Sequence, residues 1–136
     1  MALKKSEREL VRMKYGGRCA YCGCELPKVW HADHFVACRR DLVAVTISTG
    51  TYKLQSVGSG KPEANTIENF MPSCAPCNIS KATYSLEGWR LYLAQQIEFL
   101  NEYNKKYRMA KAYGLIEETG AQVVFYFERL AQQQTP

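Results

Sequence analysis

Hydrophobic positions along this chain recur at two different periods. Between residues 3 and 15, Leu3, Leu10, Val11 and Met13 share one side of a 3.6-residue repeat, with Lys4, Lys5, Arg8, Arg12 and Lys14 on the other. That pattern predicts a short amphipathic helix, stopped by Tyr15-Gly16-Gly17. Residues 29–36 are aromatic and β-branched and read as a strand, and 42–47 read as a second. A third short strand falls at 52–57, inside a loop-like stretch over 48–66 that holds Gly50, Gly58, Gly60 and Pro62. Residues 74–81 read as a cysteine turn feeding a helix, with Pro76 tolerated in its first turn. From Leu86 to Met109 the apolar residues Leu86, Trp89, Leu93, Ile97, Leu100, Tyr103 and Tyr107 return at helical spacing behind Ser85 as N-cap, which predicts one long helix. Past Gly114 and Gly120, the run over 123–127 is too short for its period to separate a strand from the start of a last helix. The order of elements is that of an α+β protein.

Composition narrows this picture. A chain of 136 residues has room for one domain with a modest core. Nine tyrosines, five phenylalanines and two tryptophans supply the surface that repays ordering entropy, so the chain is expected to fold. Lysine and arginine outnumber acids 18 to 13, for a formal charge of +5, which favours an anionic partner without naming it. The charged opening, Met1-Ala-Leu-Lys-Lys, lacks the apolar stretch of a secretory signal. No run approaches the roughly 18 apolar residues of a membrane span. The expectation is a cytoplasmic protein that meets no membrane, in a reducing compartment where paired cysteines do metal or redox work rather than form disulfides.

Of the six cysteines, Cys19-x-x-Cys22 and Cys74-x-x-Cys77 have the spacing that lets one turn offer two thiolates to a tetrahedral zinc. One such pair alone also fits a redox motif; two in one reduced chain point to a shared zinc, which contributes folding free energy directly. A whole strand-and-loop unit then lies between the halves of the site. Cys24 and Cys38 remain over. They read as small buried or half-buried thiols, although Cys24 can stand in for Cys22 if the first turn is longer.

The only histidines, His31 and His34, flank Asp33. In a strand, His31 and Asp33 face one way and His34 the other. The ordered series Cys19-Ala-Tyr-Cys22-Gly, Asp33-His34-Phe-Val, Asn69-Phe-Met-Pro-Ser-Cys74-Ala-Pro-Cys77-Asn78-Ile-Ser-Lys81 resembles the zinc-containing branch of the HNH endonucleases. Phe70 departs from that family's usual leucine, Ala37 from a proline after Asp-His, and Gly58-Ser-Gly60 from a Gly-Gly. The resemblance implies a ββα-metal fold over residues 15–85, within a single domain 1–136 flanked by the N-terminal helix and a helical C-terminal extension over 86–136. It implies DNA as partner and substrate, and a catalytic Mg²⁺ or Mn²⁺ beside the structural Zn²⁺. His34 would be the general base that activates water, Asp33 and Asn78 the catalytic metal ligands, and Asn69 the residue that fixes the loop backbone near His34. Lys81 matches the family lysine and touches either phosphate or solvent. His31 is either a further metal or phosphate contact or a neighbour of the site. Small free-standing members of this kind are frequent in phages and mobile elements.

That chemistry is consistent with the residue types. An imidazole changes protonation nearest neutral pH, and a hard cation held by one carboxylate and one amide keeps sites open for phosphate and water. Arg8, Arg12, Lys14, Arg18, Arg39, Arg40 and Lys53 surround the motif; Arg39 and Arg40, just past the Asp-His strand, are best placed to meet a phosphate backbone. Lys105, Lys106 and Arg108 extend the basic surface, while the aromatic residues of the long helix read as packing. A zinc-stabilised DNA-binding module or a redox protein would need neither Asp33, His34 nor Asn78. Cleavage specificity and oligomeric state are not legible.

Overall fold

The structure, a computed structural model, describes residues 3–36, 41–48, 51–57 and 66–133. The predicted first helix is α1, Lys5–Arg12, followed by a 3-10 turn Met13–Tyr15 and a left-handed Gly16 at φ 65°. The backbone N–H of Lys4 donates to Glu7 Oε2 at 2.8 Å and so satisfies one orphan donor of the first turn. Its apolar side is narrower than the pattern suggested. Val11 is buried and Leu3 packs beside it, but Leu10 and Met13 stay exposed. Arg8, expected in solvent, lies over the Trp30 ring at 4.0 Å and donates Nη2 to Trp30 O at 2.6 Å, so its stem and head cover the aromatic face.

Strand β1, His31–His34, pairs antiparallel with a later strand, Phe70–Ser73, in the register His31↔Ser73, Ala32↔Pro72, Asp33↔Met71 and His34↔Phe70. Between them in sequence lies a second antiparallel pair, β2 (Asp41–Ser48) and β3 (Thr51–Val57), where the pattern placed two strands. Phe70–Ser73 is therefore β4. Its alternation divides the core. Phe70 joins Val11 and Trp30 on one face, and Met71 joins Cys19, Ala20, Tyr21, Cys74, Trp89 and Phe125 on the other. Helix α2, Ala75–Lys81, starts directly after β4 with Cys74 as N-cap and Pro76 where a missing N–H costs nothing.

The single long helix expected from Leu86 onward is three helices: α3 (Leu86–Ala94), α4 (Gln96–Tyr103) and α5 (Lys105–Ala112). Ser85 caps α3 as expected, its Oγ accepting from Gly88 N at 3.1 Å. The second break has a local cause. Asn104 sits in extended backbone and its Oδ1 accepts from Tyr107 N at 2.9 Å, so it ends α4 and caps α5 at once. Burial ends earlier still: Trp89 is buried, whereas Ile97 and Tyr103, on the same stripe, are exposed.

The chain then returns. Phe125 is buried against Trp89 with ring centroids 4.9 Å apart, and α6, Tyr126–Gln133, follows it. The ambiguous run over 123–127 thus forms no regular element up to Phe125 and is helical from Tyr126. Tyr126 N and Phe127 N donate to Tyr21 O and Ala20 O at 2.8 and 2.9 Å, which fastens this return to the cysteine turn. Arg90 on α3 locks it with two bonds to Glu128, at 2.6 and 2.9 Å, and one to Val123 O at 2.6 Å. No described helix is long and apolar enough to cross a membrane.

Candidate metal and catalytic site

The first cysteine turn is closed by backbone bonds from Cys19 N to Cys24 O at 2.8 Å and from Gly23 N to Cys19 O at 3.0 Å. Gly23 adopts φ 82°, and a Cβ there would stand 3.0 Å from the Tyr126 ring, so glycine is demanded twice, by the turn and by the packing of α6. Ala20 N donates to Pro72 O at 2.8 Å, tying the turn to β4, which runs straight into the second pair at Cys74 and Cys77. As a result the Sγ atoms of Cys19, Cys22, Cys74 and Cys77 all lie within 4.8 Å of one another, and the quartet can hold a metal ion. Cys22 and Cys74 are 3.7 Å apart, far beyond a disulfide and close to the ~3.8 Å edge of a tetrahedron with bonds of about 2.3 Å to sulfur.

Thiols this close cannot all ionise without a cation among them. Cys19 is drawn down to about 4, chiefly by the hydrogen bond from Cys77, while Cys77 is pushed up by giving that bond. Cys24 stands outside the quartet. Its thiol, beside Cys22 and Cys74, is pushed up to about 12, chiefly by desolvation.

Asp33 and His34 occupy the last two positions of β1, on opposite faces. Asp33 is 7% exposed and turns toward the Tyr21 side of the sheet. Its Oδ2 accepts from Tyr21 Oη at 2.6 Å and pairs with Lys81 Nζ at 3.2 Å. Among the described residues Oδ1 takes no hydrogen bond, and no buried side-chain oxygen is left unpartnered, so Oδ1 keeps what exposure the carboxylate has. Burial, then the charge of Asp33, hold the Tyr21 phenol protonated by pushing it well above its ordinary value.

Lys81 is fully buried, with Nζ also donating to His34 O at 3.0 Å. The expected phosphate or solvent contact is therefore replaced by an internal one: the end of α2 is bolted to the Asp33-His34 backbone. The His34 ring packs on Phe70, its cross-strand neighbour, at 4.6 Å. Past it, the Asn69 amide grips one residue from both sides, Oδ1 accepting from Val36 N at 2.9 Å and Nδ2 donating to Val36 O at 3.0 Å. Phe35 N adds a bond to Asn69 O at 2.7 Å.

Asn78 sits half-buried on α2, one turn past Cys74, whose carbonyl its backbone N–H binds at 3.0 Å. Among the described residues its side chain is not hydrogen-bonded to Asp33. His31, half-buried, lies at the far end of β1 opposite Ser73. Arg39, Arg40 and Cys38 lie outside the described residues. Other cations of the expected footprint are engaged by the chain itself: Lys14 Nζ binds Glu68 O and Phe70 O at 3.1 and 2.9 Å, and Arg18 binds Gly23 O at 2.9 Å.

Sequence reasoning missed Tyr21. Nothing in its position inside Cys19-x-x-Cys22 announces a bond to Asp33, because the link arises only when the turn folds over β1. Beside the quartet, a cleft of about 460 Å³ opens between α2, α3 and the returning segment, lined by Cys22, Pro76, Cys77, Trp89 and Phe125. Comparison with known protein families, curated proteins and solved structures found no match to this chain.

Proposed function

We propose that this chain is a metal-dependent DNA endonuclease of the HNH kind, in which β1, β4 and α2 form the ββα-metal unit and the four cysteines bind a structural zinc. The observation that carries the reading is the Asn69 clamp on Val36, directly after Asp33-His34 on a strand paired with the one that leads into the second cysteine turn and Asn78. A central asparagine that fixes the loop behind an Asp-His pair is what the motif resemblance calls for.

Asp33 and Asn78 would hold the catalytic Mg²⁺ or Mn²⁺. The donor set suits a hard cation: a carboxylate oxygen without a hydrogen bond among the described residues, and an amide. Such an ion supplies Lewis-acid polarisation of the phosphodiester and neutralises charge building on it. Tyr21 and Lys81 hold Asp33 by the other oxygen, so its orientation is fixed before any ligand arrives. Lys81 also fixes the His34 carbonyl, and Phe70 supports the imidazole. In this reading a ring nitrogen of His34 takes the proton of the attacking water. The zinc quartet joins the Tyr21 turn to the start of α2, and so sets the distance between Asp33 and Asn78.

Incubation of the purified chain with supercoiled plasmid tests the reading. Relaxed or linear product is expected with Mg²⁺ or Mn²⁺, none with EDTA, and a loss of at least a hundredfold in rate for His34→Ala. Cutting by His34→Ala at the wild-type rate removes His34 from its role, and no cutting with either metal rejects the nuclease.

A further inference from the structure

We propose that α4 and α5 form a self-association surface that pairs two copies of this chain, the acidic groove on α4 of one copy receiving the basic groove on α5 of the other. Neither helix has a buried residue, and each is eight residues long. Helices so short are marginal in water without something to pack on. Five of their apolar side chains and those just after them stand well out of the surface: Phe99 at 50%, Tyr103 at 72%, Met109 at 49%, Tyr113 at 76% and Leu115 at 77% exposure. At roughly 100 Å² each these offer about 500 Å² per copy, a large share of the ~800 Å² that one partner buries in a standard interface.

Two grooves organise this surface, and they carry opposite charge. One, of about 300 Å³, is lined by Phe99 and Tyr103 together with Gln95, Glu98 and Glu102. The other, of about 440 Å³, is lined by Met109, Ala110, Tyr113 and Leu115 together with Lys105 and Lys106. The hairpin's other charges are consumed internally. Arg108 Nη1 caps the end of α4 through Asn101 O and Glu102 O at 3.0 and 2.7 Å, and Lys111 pairs with Glu118 at 3.0 Å. Among the described residues none of Glu98, Glu102, Lys105 and Lys106 forms an ion pair.

Two grooves of opposite charge, each holding exposed apolar side chains, complement each other between copies, and a two-fold axis makes the contact twice. DNA fits the surface less well, because the glutamates repel phosphate and the exposed apolar side chains gain nothing from it. A partner of another sequence would need this same pairing of charges; a second copy already has it.

Light scattering on the full-length protein during gel filtration tests the pairing. The wild type is expected to reach twice the mass of one chain. The exposed double variants Glu98→Lys with Glu102→Lys, and Lys105→Glu with Lys106→Glu, should each associate at least tenfold more weakly with unchanged far-ultraviolet circular dichroism. Mixing the two variants should restore a dimer, since both contacts become attractive again. A wild type that stays monomeric at every concentration, grows into longer chains, or dimerises undisturbed by the reversals overturns the proposal. So does a mixture that fails to pair.

Discussion

The two ends of the predicted long helix met opposite fates. Its first two turns, α3, sink Trp89 into the cluster around Tyr21 and Phe125 and use Arg90 to lock the returning chain. Its continuation, α4 and α5, has no fully buried residue and is held by surface hydrogen bonds centred on Glu118, which accepts from Asn101 at 2.6 Å and from Tyr107 at 2.9 Å and pairs with Lys111. The same apolar spacing runs through both. What differs is whether another part of the chain comes back to cover it. The cysteine quartet makes the difference, because it draws the Tyr21 turn and α2 together into a floor on which Trp89 and Phe125 can stack.

The strongest break in this comparison is removal of the proposed zinc. Structural zinc in small modules is worth on the order of 10 kcal/mol at neutral pH. Chelation, or Cys19→Ser, should therefore abolish the near-ultraviolet circular dichroism of the Trp89 cluster and the cooperative unfolding transition. A native spectrum that survives chelation would detach the cysteines from the fold.

Next in size is the contrast between two lysine pairs. Lys81→Met leaves the buried Asp33 carboxylate without its cation, which costs about 3 to 5 kcal/mol. Lys111→Met, at an exposed pair, should leave the urea midpoint within the scatter of replicate titrations. Equal effects of the two would erase the difference between the buried and the exposed pair.

The smallest effect is acid sensitivity confined to the extension. Hydrogen bonds, first from Asn101, then from Lys111 and Tyr107, lower Glu118 to about 2 from an ordinary 4.5. Its contribution is therefore present above pH 4.5 and lost as the pH falls through 2. Nuclear magnetic resonance of the Tyr107 ring should follow that titration. A midpoint at the ordinary carboxylate value would mean that Glu118 is not held.

Much of the cysteine-centred region was legible in the chain. The two Cys-x-x-Cys spacings announced a quartet, the runs over 42–47 and 52–57 announced β2 and β3, and Pro76 announced the start of α2. The break at Asn104 was missed because helical periodicity records where apolar residues recur and is silent on a side chain that caps its own backbone. The burial of Lys81 was missed because its partner, Asp33, is 48 residues away and only strand pairing brings the two together. Leu10 and Met13 misled for a similar reason: a shared helical side does not tell how wide the covering surface is.

The proposed zinc is a single ion held by four sulfurs, and X-ray absorption at the zinc edge of the purified protein reads that shell directly. One zinc per chain with four sulfur neighbours at about 2.3 Å is the expected result. A shell containing nitrogen or oxygen, or a protein that carries no zinc while keeping its fold, would contradict it.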